Sequence, residues 1–197
     1  MKTVNIVGYG KTGLVEPGEV WGMNDLWRYR DEDWTRWFDL HDLPAMYAGA
    51  LAQSPVDSEQ VAWLRTCPYA LYVFPEYASL FMAESFPSAE LLDEFGPVFA
   101  NTFAWLIGLA LHEGFERIVL VGDEHGTWYE KAWERPSVAY MVGLAFGAGV
   151  DVAGAYWLWQ DHLYGLEQAD DPRWQDRRRL AKRWPKIWRD ASLFRLI

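Results

Sequence analysis

Covalent and metal-binding frameworks have little to build on in this chain. One cysteine, Cys67, occurs among 197 residues. A single thiol forms no internal disulfide, which excludes a disulfide-stapled scaffold and fits a reducing compartment. No motif surrounds it in Leu64-Arg65-Thr66-Cys67-Pro68-Tyr69, so it reads as a small buried residue. Asparagine is scarce, with Asn5, Asn24 and Asn101 only. No apolar run approaches the roughly 18 residues of a membrane helix, so no membrane partner is expected. The N-terminus starts on a strand pattern without the charged, apolar and cleavage regions of a signal peptide, and the expected location is cytoplasmic.

Apolar residues make up 51% and include 13 tryptophans, enough for a core in one domain of this length. Charge is uneven. Residues 172–197 hold nine Lys/Arg and two Asp, a local surplus of seven positive charges that leaves −17 on residues 1–171. The division expected is a domain over residues 1–166 and a basic, Trp-rich helical tail over 167–197. An acidic body repels nucleic acid at long range. The tail, with Trp174, Trp184 and Trp188 among its basic residues, suits either nucleic acid or a fold-back onto the body or a second subunit.

Buried-strand patterns fall at 2–7, 19–23, 34–40, 70–74, 117–121 and 150–153. Helical periodicity falls at 57–65, 102–113 and 136–147, with a short helix near 88–95 inside a Pro- and aromatic-rich stretch over 75–97. Strands that are continuous apolar runs, alternating with helices, predict an α/β, Rossmann-like fold. Its sheet is mainly parallel and covered by helices on both faces. In such sheets ligands bind beyond the carboxyl ends of the strands.

Several polar clusters fall at those ends. Gly8-Tyr9-Gly10-Lys11-Thr12-Gly13 matches G-x-G-x-x-G, whose dinucleotide-binding form needs a helix opening at the third glycine. Six residues separate Gly13 from Val20 and include Pro17 and Gly18, which argues against NAD or FAD. The loop still suits phosphate, with backbone N–H groups, Lys11 and Thr12 as donors; a tight turn is the plainer alternative. Asp39-Leu40-His41-Asp42 places Asp39 and His41 on one side of an extended strand. It is suited to a general base or a divalent metal, with no cofactor firmly implied. Gly122-Asp123-Glu124-His125-Gly126 is a second acidic cluster, with His125 as a base near neutrality. Asn101 and Thr102 open the helix over 102–113, where N–H groups favour an anion. Arg135 is suited to clamping a phosphate or carboxylate and Tyr140 to stacking on a base or sugar. The candidate catalytic residues are therefore His41, His125 and Asp123. The candidate ligand contacts are Gly8, Gly10, Lys11, Thr12, Asn24, Asp39, Asn101, Thr102, Glu124, Arg135 and Tyr140.

Taken in order, the glycine loop, Val20-Trp21-Gly22-Met23-Asn24-Asp25, Trp37-Phe38-Asp39-Leu40-His41, Asn101-Thr102, Gly114 to Gly122, Arg135-Pro136-Ser137 and Leu163-Tyr164-Gly165 form a pattern over residues 3–166. It resembles a family of small Rossmann-like proteins of tailed phages and, through it, the bacterial sialyltransferases of glycosyltransferase family 42. The resemblance implies a nucleotide or nucleotide sugar as ligand and transfer at an anomeric carbon. It puts Gly8, Gly10 and Thr12 on phosphate or ribose, Asn24 on the nucleotide, and Asn101 and Thr102 near the sugar phosphate. Lys11-Thr12 and Glu124 stand where that pattern has Pro-Ser and Asp. If phage-encoded, the protein would act in the host cytoplasm. A non-catalytic binding module and a nucleic-acid-binding or -modifying protein using the tail are the other readings.

Overall fold

The chain's first strand, β1 (Thr3–Val7), is buried along its whole length and becomes the middle of a seven-stranded sheet. The computed structural model describes residues 1–11, 13–41, 55–122 and 134–155, with side chains for all of these except 55–58. The strands after β1 are β2 (Glu19–Met23), β3 (Arg36–Asp39), β4 (Ala70–Val73), β5 (Glu84–Ser85), β6 (Arg117–Val121) and β7 (Asp151–Ala153). Their order is β5-β4-β3-β2-β1-β6-β7, and every pairing is parallel. The chain walks outward from β1 to β5, then returns to add β6 and β7 on the other side of β1. The sheet therefore reverses direction between β1 and β6, whose register runs from Thr3 opposite Arg117 to Val7 opposite Val121.

Alternation along each strand divides the core in two. Val4, Ile6, Trp21, Met23, Phe38, Ile118 and Leu120 face one side. There they meet α4 (Thr102–His112) through Leu106, Ile107 and Ala110, and α5 (Arg135–Gly147) through Val138, Met141 and Val142. Val7, Val20, Trp37, Leu71, Val73, Val119 and Val121 face the other, against Val61 and Leu64 of α1 (Pro55–Arg65) and Leu26 of a 3-10 turn at Leu26–Arg28. Each fully buried aliphatic or aromatic side chain contributes about 1.5–3 kcal/mol. Both faces are apolar, which is why the strands read as unbroken apolar runs. The α/β, Rossmann-like expectation holds, with a sheet that is parallel throughout.

Three details differ from the sequence reading. The strand expected over 34–40 is paired only over Arg36–Asp39, because Trp34 turns back onto Glu32 while the Thr35 side chain caps β2 at Val20. Helix α1 starts at Pro55. The stretch over 75–97 holds more than the helix α3 (Ser88–Phe95): it also carries a 3-10 turn at Pro75–Tyr77, the short helix α2 (Ala78–Phe81) and β5. Met82, at a φ of 51°, closes α2 and turns the chain into β5, a place where a left-handed residue is not announced by glycine.

Between β1 and β2 there is no helix among the described residues. Asn5, fully buried, holds this connection instead. Its Nδ2 donates to the carbonyls of Glu16 and Glu19, both at 2.9 Å, and its Oδ1 accepts from the Glu16 N–H at 2.8 Å. Arg117 clasps Glu16 from β6 through two hydrogen bonds of 2.7 and 2.6 Å. The tail and the proposed boundary at 166 lie outside the described residues. Among the described residues no helix is long and apolar enough to cross a membrane.

Candidate functional site

The carboxyl ends of β1, β2, β3, β4 and β6 surround a cleft of about 540 Å³. It sits at the reversal between β1 and β6, where open parallel sheets bind ligands. Gly8 and Gly122 close its floor. The Gly8 N–H donates to Val121 and the Gly10 N–H to Gly122, at 2.7 and 2.9 Å, prolonging the β1–β6 ladder past both strands. Gly122 has a φ of +65°, and a Cβ there would lie 2.4 Å from the Gly10 carbonyl oxygen. A Cβ on Gly8 would lie 2.6 Å from the Phe103 ring. These glycines are thus required by the approach of two loops and a helix.

Arg30 braces the same loop, donating to the Gly10 carbonyl at 3.0 Å and pairing with Glu32 at 2.9 Å. Tyr9, on the loop, hydrogen-bonds Asp25 through its hydroxyl. Burial of that hydroxyl and the Asp25 carboxylate push its pKa well above the ordinary phenol value, so it stays protonated.

The most developed chemistry lies at the end of β3. Asp39 is 1% exposed and hydrogen-bonds His41 Nδ1 at 2.6 Å through Oδ1. A carboxylate only accepts, so Nδ1 carries the shared hydrogen and neutral His41 keeps Nε2 as its basic atom. The hydrogen bond to Asp39 raises the His41 pKa above its ordinary value; burial opposes the rise, and the charges of Asp39 and Asp25 add to it. Asp39 Oδ2 accepts from Gln60 Nε2 at 3.2 Å. Gln60 also donates to the Asn24 carbonyl at 3.0 Å and accepts from the Trp27 indole N–H at 2.7 Å.

Asn24 lines the cleft at a φ of 54°, a left-handed conformation that asparagine tolerates better than most residues. Its carbonyl also accepts from the Trp37 indole at 3.1 Å. Its side-chain Oδ1 is buried without a hydrogen-bond partner, an uncommon condition for a buried polar atom.

On the opposite wall Asn101 caps α4, accepting from the Ala104 N–H at 2.9 Å and donating to Glu134 at 3.2 Å. An aromatic wall completes the cleft. Phe99 stacks on Trp105 at 3.9 Å and 10°, and Phe74 meets Trp105 edge-on at 5.8 Å. Gly108 makes room for Phe99, since a Cβ there would lie 2.8 Å from its ring.

Of the residues chosen from sequence, Gly10, Asn24, His41, Asn101 and Thr102 line this cleft, with Asp39 behind His41 and Gly8 beneath. Lys11 is exposed and outside the lining, and Arg135 opens α5 next to the lining residue Glu134. Tyr140 lies away from the cleft lining. It lies on a second depression, with Glu94, Phe95 and Leu111. The turn of α5 that sends Val138, Met141 and Val142 into the core leaves it 49% exposed. Thr12, Asp123, Glu124 and His125 lie outside the described residues. Among the described residues no group of three or more His, Cys, Asp or Glu side chains is placed to hold a metal.

Sequence reasoning missed Gln60, Trp27, Arg30, Glu134 and the Phe74–Phe99–Trp105 wall. Apolar side chains at a strand end and on a helix carry no local mark that separates a cleft wall from core, and nothing local marks a glutamine inside a helix. Cys67 is half-buried, and burial pushes its thiol pKa up, away from the reactive thiolate. Comparison with protein-family models, with curated proteins and with solved structures finds no match to this chain.

Proposed function

We propose that the cleft binds a nucleotide or nucleotide sugar and that the protein is a transferase of glycosyltransferase type, with His41 as its general base. The observation that carries this reading is the His41–Asp39 pair opening on a cleft at the sheet reversal. A neutral imidazole held at Nδ1 by a buried carboxylate is the arrangement that readies Nε2 to take a proton from an acceptor hydroxyl. The cleft's contents suit the ligand class. The Phe99–Trp105 stack offers aromatic surface for a base. Transfer would break the anomeric C–O bond to the leaving phosphate and form one to the acceptor oxygen, whose proton passes to His41. The fold itself says nothing about the chemistry, which rests on the site alone.

The test is a thermal-shift screen of the full chain against nucleotides and nucleotide sugars, with and without a divalent cation. A ligand at a hundredfold excess over its Kd stabilises the folded state by about 2.7 kcal/mol. A selective hit is expected, followed by turnover that His41→Asn abolishes while binding persists. If no member of the panel at millimolar concentration stabilises the protein, the reading is wrong. Binding without turnover would identify a recognition module on the same cleft.

A further inference from the structure

We propose that Gln60 is a positioning residue for His41: its amide holds the Asp39 carboxylate so that Oδ1 meets the imidazole while Oδ2 is engaged elsewhere. The proposal rests on the reading of His41 as the base of the cleft. Gln60 is 5% exposed, and its side-chain amide makes three hydrogen bonds to three different elements. One Nε2 hydrogen goes to Asp39 Oδ2 on β3 and the other to the Asn24 carbonyl after β2. Its Oε1 accepts from Trp27 in the 3-10 turn.

That last bond decides which way round the amide sits. An indole N–H only donates, so the oxygen must face Trp27 and the NH2 must face Asp39. Trp27 is itself fixed, stacked on Trp63 at 5.3 Å and 1° with the Arg28 guanidinium 4.5 Å from its ring. Trp63 lies three residues after Gln60 on α1, so one helix carries both Gln60 and the ring on which Trp27 stacks. The result is a series Trp27–Gln60–Asp39–His41, each member oriented by the one before it. The series also ties the base to the main chain of Asn24, a residue of the cleft lining.

Gln60 hydrogen-bonds Asp39 and, among the lining residues, the main-chain carbonyl of Asn24, so its effect on His41 passes through Asp39. A hydrogen bond to a carboxylate draws off part of its charge. Removing that donor concentrates the charge of Asp39 on the side facing His41. Among the described residues, the other ionisable groups that line the cleft with His41 or act on its ring are Asp25 after β2, Tyr9 on the glycine loop and Glu134 before α5, and the substitution leaves all three in place.

The experiment is an NMR titration of the histidine rings in the full, ligand-free chain, with His41 assigned by the loss of its signal in His41→Asn. In the parent, neutral His41 is expected to carry its proton on Nδ1. In Gln60→Met, which is close to isosteric, the His41 pKa is expected to rise further, by about half a unit to one unit. A glutamine that only fills space would change stability and leave this titration where it was. An unchanged or lowered His41 titration in folded Gln60→Met protein overturns the proposal. If Gln60→Met does not fold, Trp27→Phe decides. It keeps the ring stack but removes the N–H that orients the amide, and a smaller rise in the same direction is expected. No rise in that variant overturns the proposal equally. Both titrations need no ligand, so a failure of the nucleotide reading and a failure of this one are separately visible.

Discussion

Replacing Asn5 by aspartate tests the claim that one buried amide does the work of the absent β1–β2 helix. The two side chains have nearly the same shape. In the native protein Nδ2 gives both hydrogens to carbonyls, those of Glu16 and Glu19, each 2.9 Å away. In Asn5→Asp an acceptor oxygen faces two acceptors in a site with no exposure to solvent. Each buried carbonyl left unsatisfied costs about 1–3 kcal/mol, so the central expectation is a loss of about 4 kcal/mol near neutral pH. That is a large part of the roughly 5–15 kcal/mol that holds a domain together.

The loss should also depend on pH, with a definite sign. The new carboxyl can donate only when protonated, so folding raises its pKa above the unfolded value of about 3.9. A raised acid favours the folded state fully below the unfolded pKa and loses that contribution as pH rises through the folded pKa. The deficit relative to the parent should therefore shrink in acid, to about half when one of the two bonds is restored. Urea unfolding followed by tryptophan fluorescence, with parent and variant compared at the same pH from 4.5 to 8, measures it. A deficit under about 1 kcal/mol at neutral pH, or one that does not shrink in acid, refutes the account.

Gly122→Ala should destabilise the cleft floor, because the added Cβ meets the Gly10 oxygen at 2.4 Å and the φ of +65° is left-handed. With about 2 kcal/mol lost, calorimetry should show a Tm lower by about 4–8 °C. An unchanged Tm would mean that the two loops are not locked together. His41 makes its own pH signature. Its pKa is raised in the folded protein by the bond to Asp39, so its contribution to stability is full below the unfolded value and is lost as pH rises through the folded one. The stability difference between parent and His41→Asn, from urea unfolding at pH 5.5 to 8.5, should be largest at the acid end, and a flat difference would contradict the Asp39 pairing.

Much of the fold was legible because its signals are local. Val4, Ile6 and Val7, or Ile118 to Val121, are unbroken apolar runs, and a strand buried on both faces has no other way to look. Phe103, Leu106, Ile107 and Ala110 recur at helical spacing behind Asn101, which caps the helix as its type suggests. The stretch over 75–97 was illegible for the opposite reason. β5 is two exposed residues whose pairing to β4 comes from the sheet edge and the turn at Met82, and so short a strand carries no periodicity.

The site divides along the same line. Asp39 and His41 lie two apart on a strand end, and period-two geometry is enough to bring them together. Gly8 and Gly10 were visible as a motif, but the motif pointed to phosphate, whereas the nearest reason for Gly8 and Gly122 is the approach of two loop backbones and the Phe103 ring. Gln60 stands 21 residues from Asp39 and 33 from Trp27. Pairings at that range arise only once β2, β3 and α1 have packed, and no residue type at position 60 announces them. The distinction matters for engineering the cleft. The catalytic proposal concerns residues a sequence can suggest, yet the Asp39 carboxylate that gives His41 its tautomer is itself held by groups that only the packed core brings within reach. A transplant of the Asp39-Leu40-His41 segment onto another sheet end would carry the pair and leave behind Gln60, Trp27 and the strained Asn24. The transplanted histidine would then face a carboxylate that no amide orients, and its tautomer would be set by Asp39 alone.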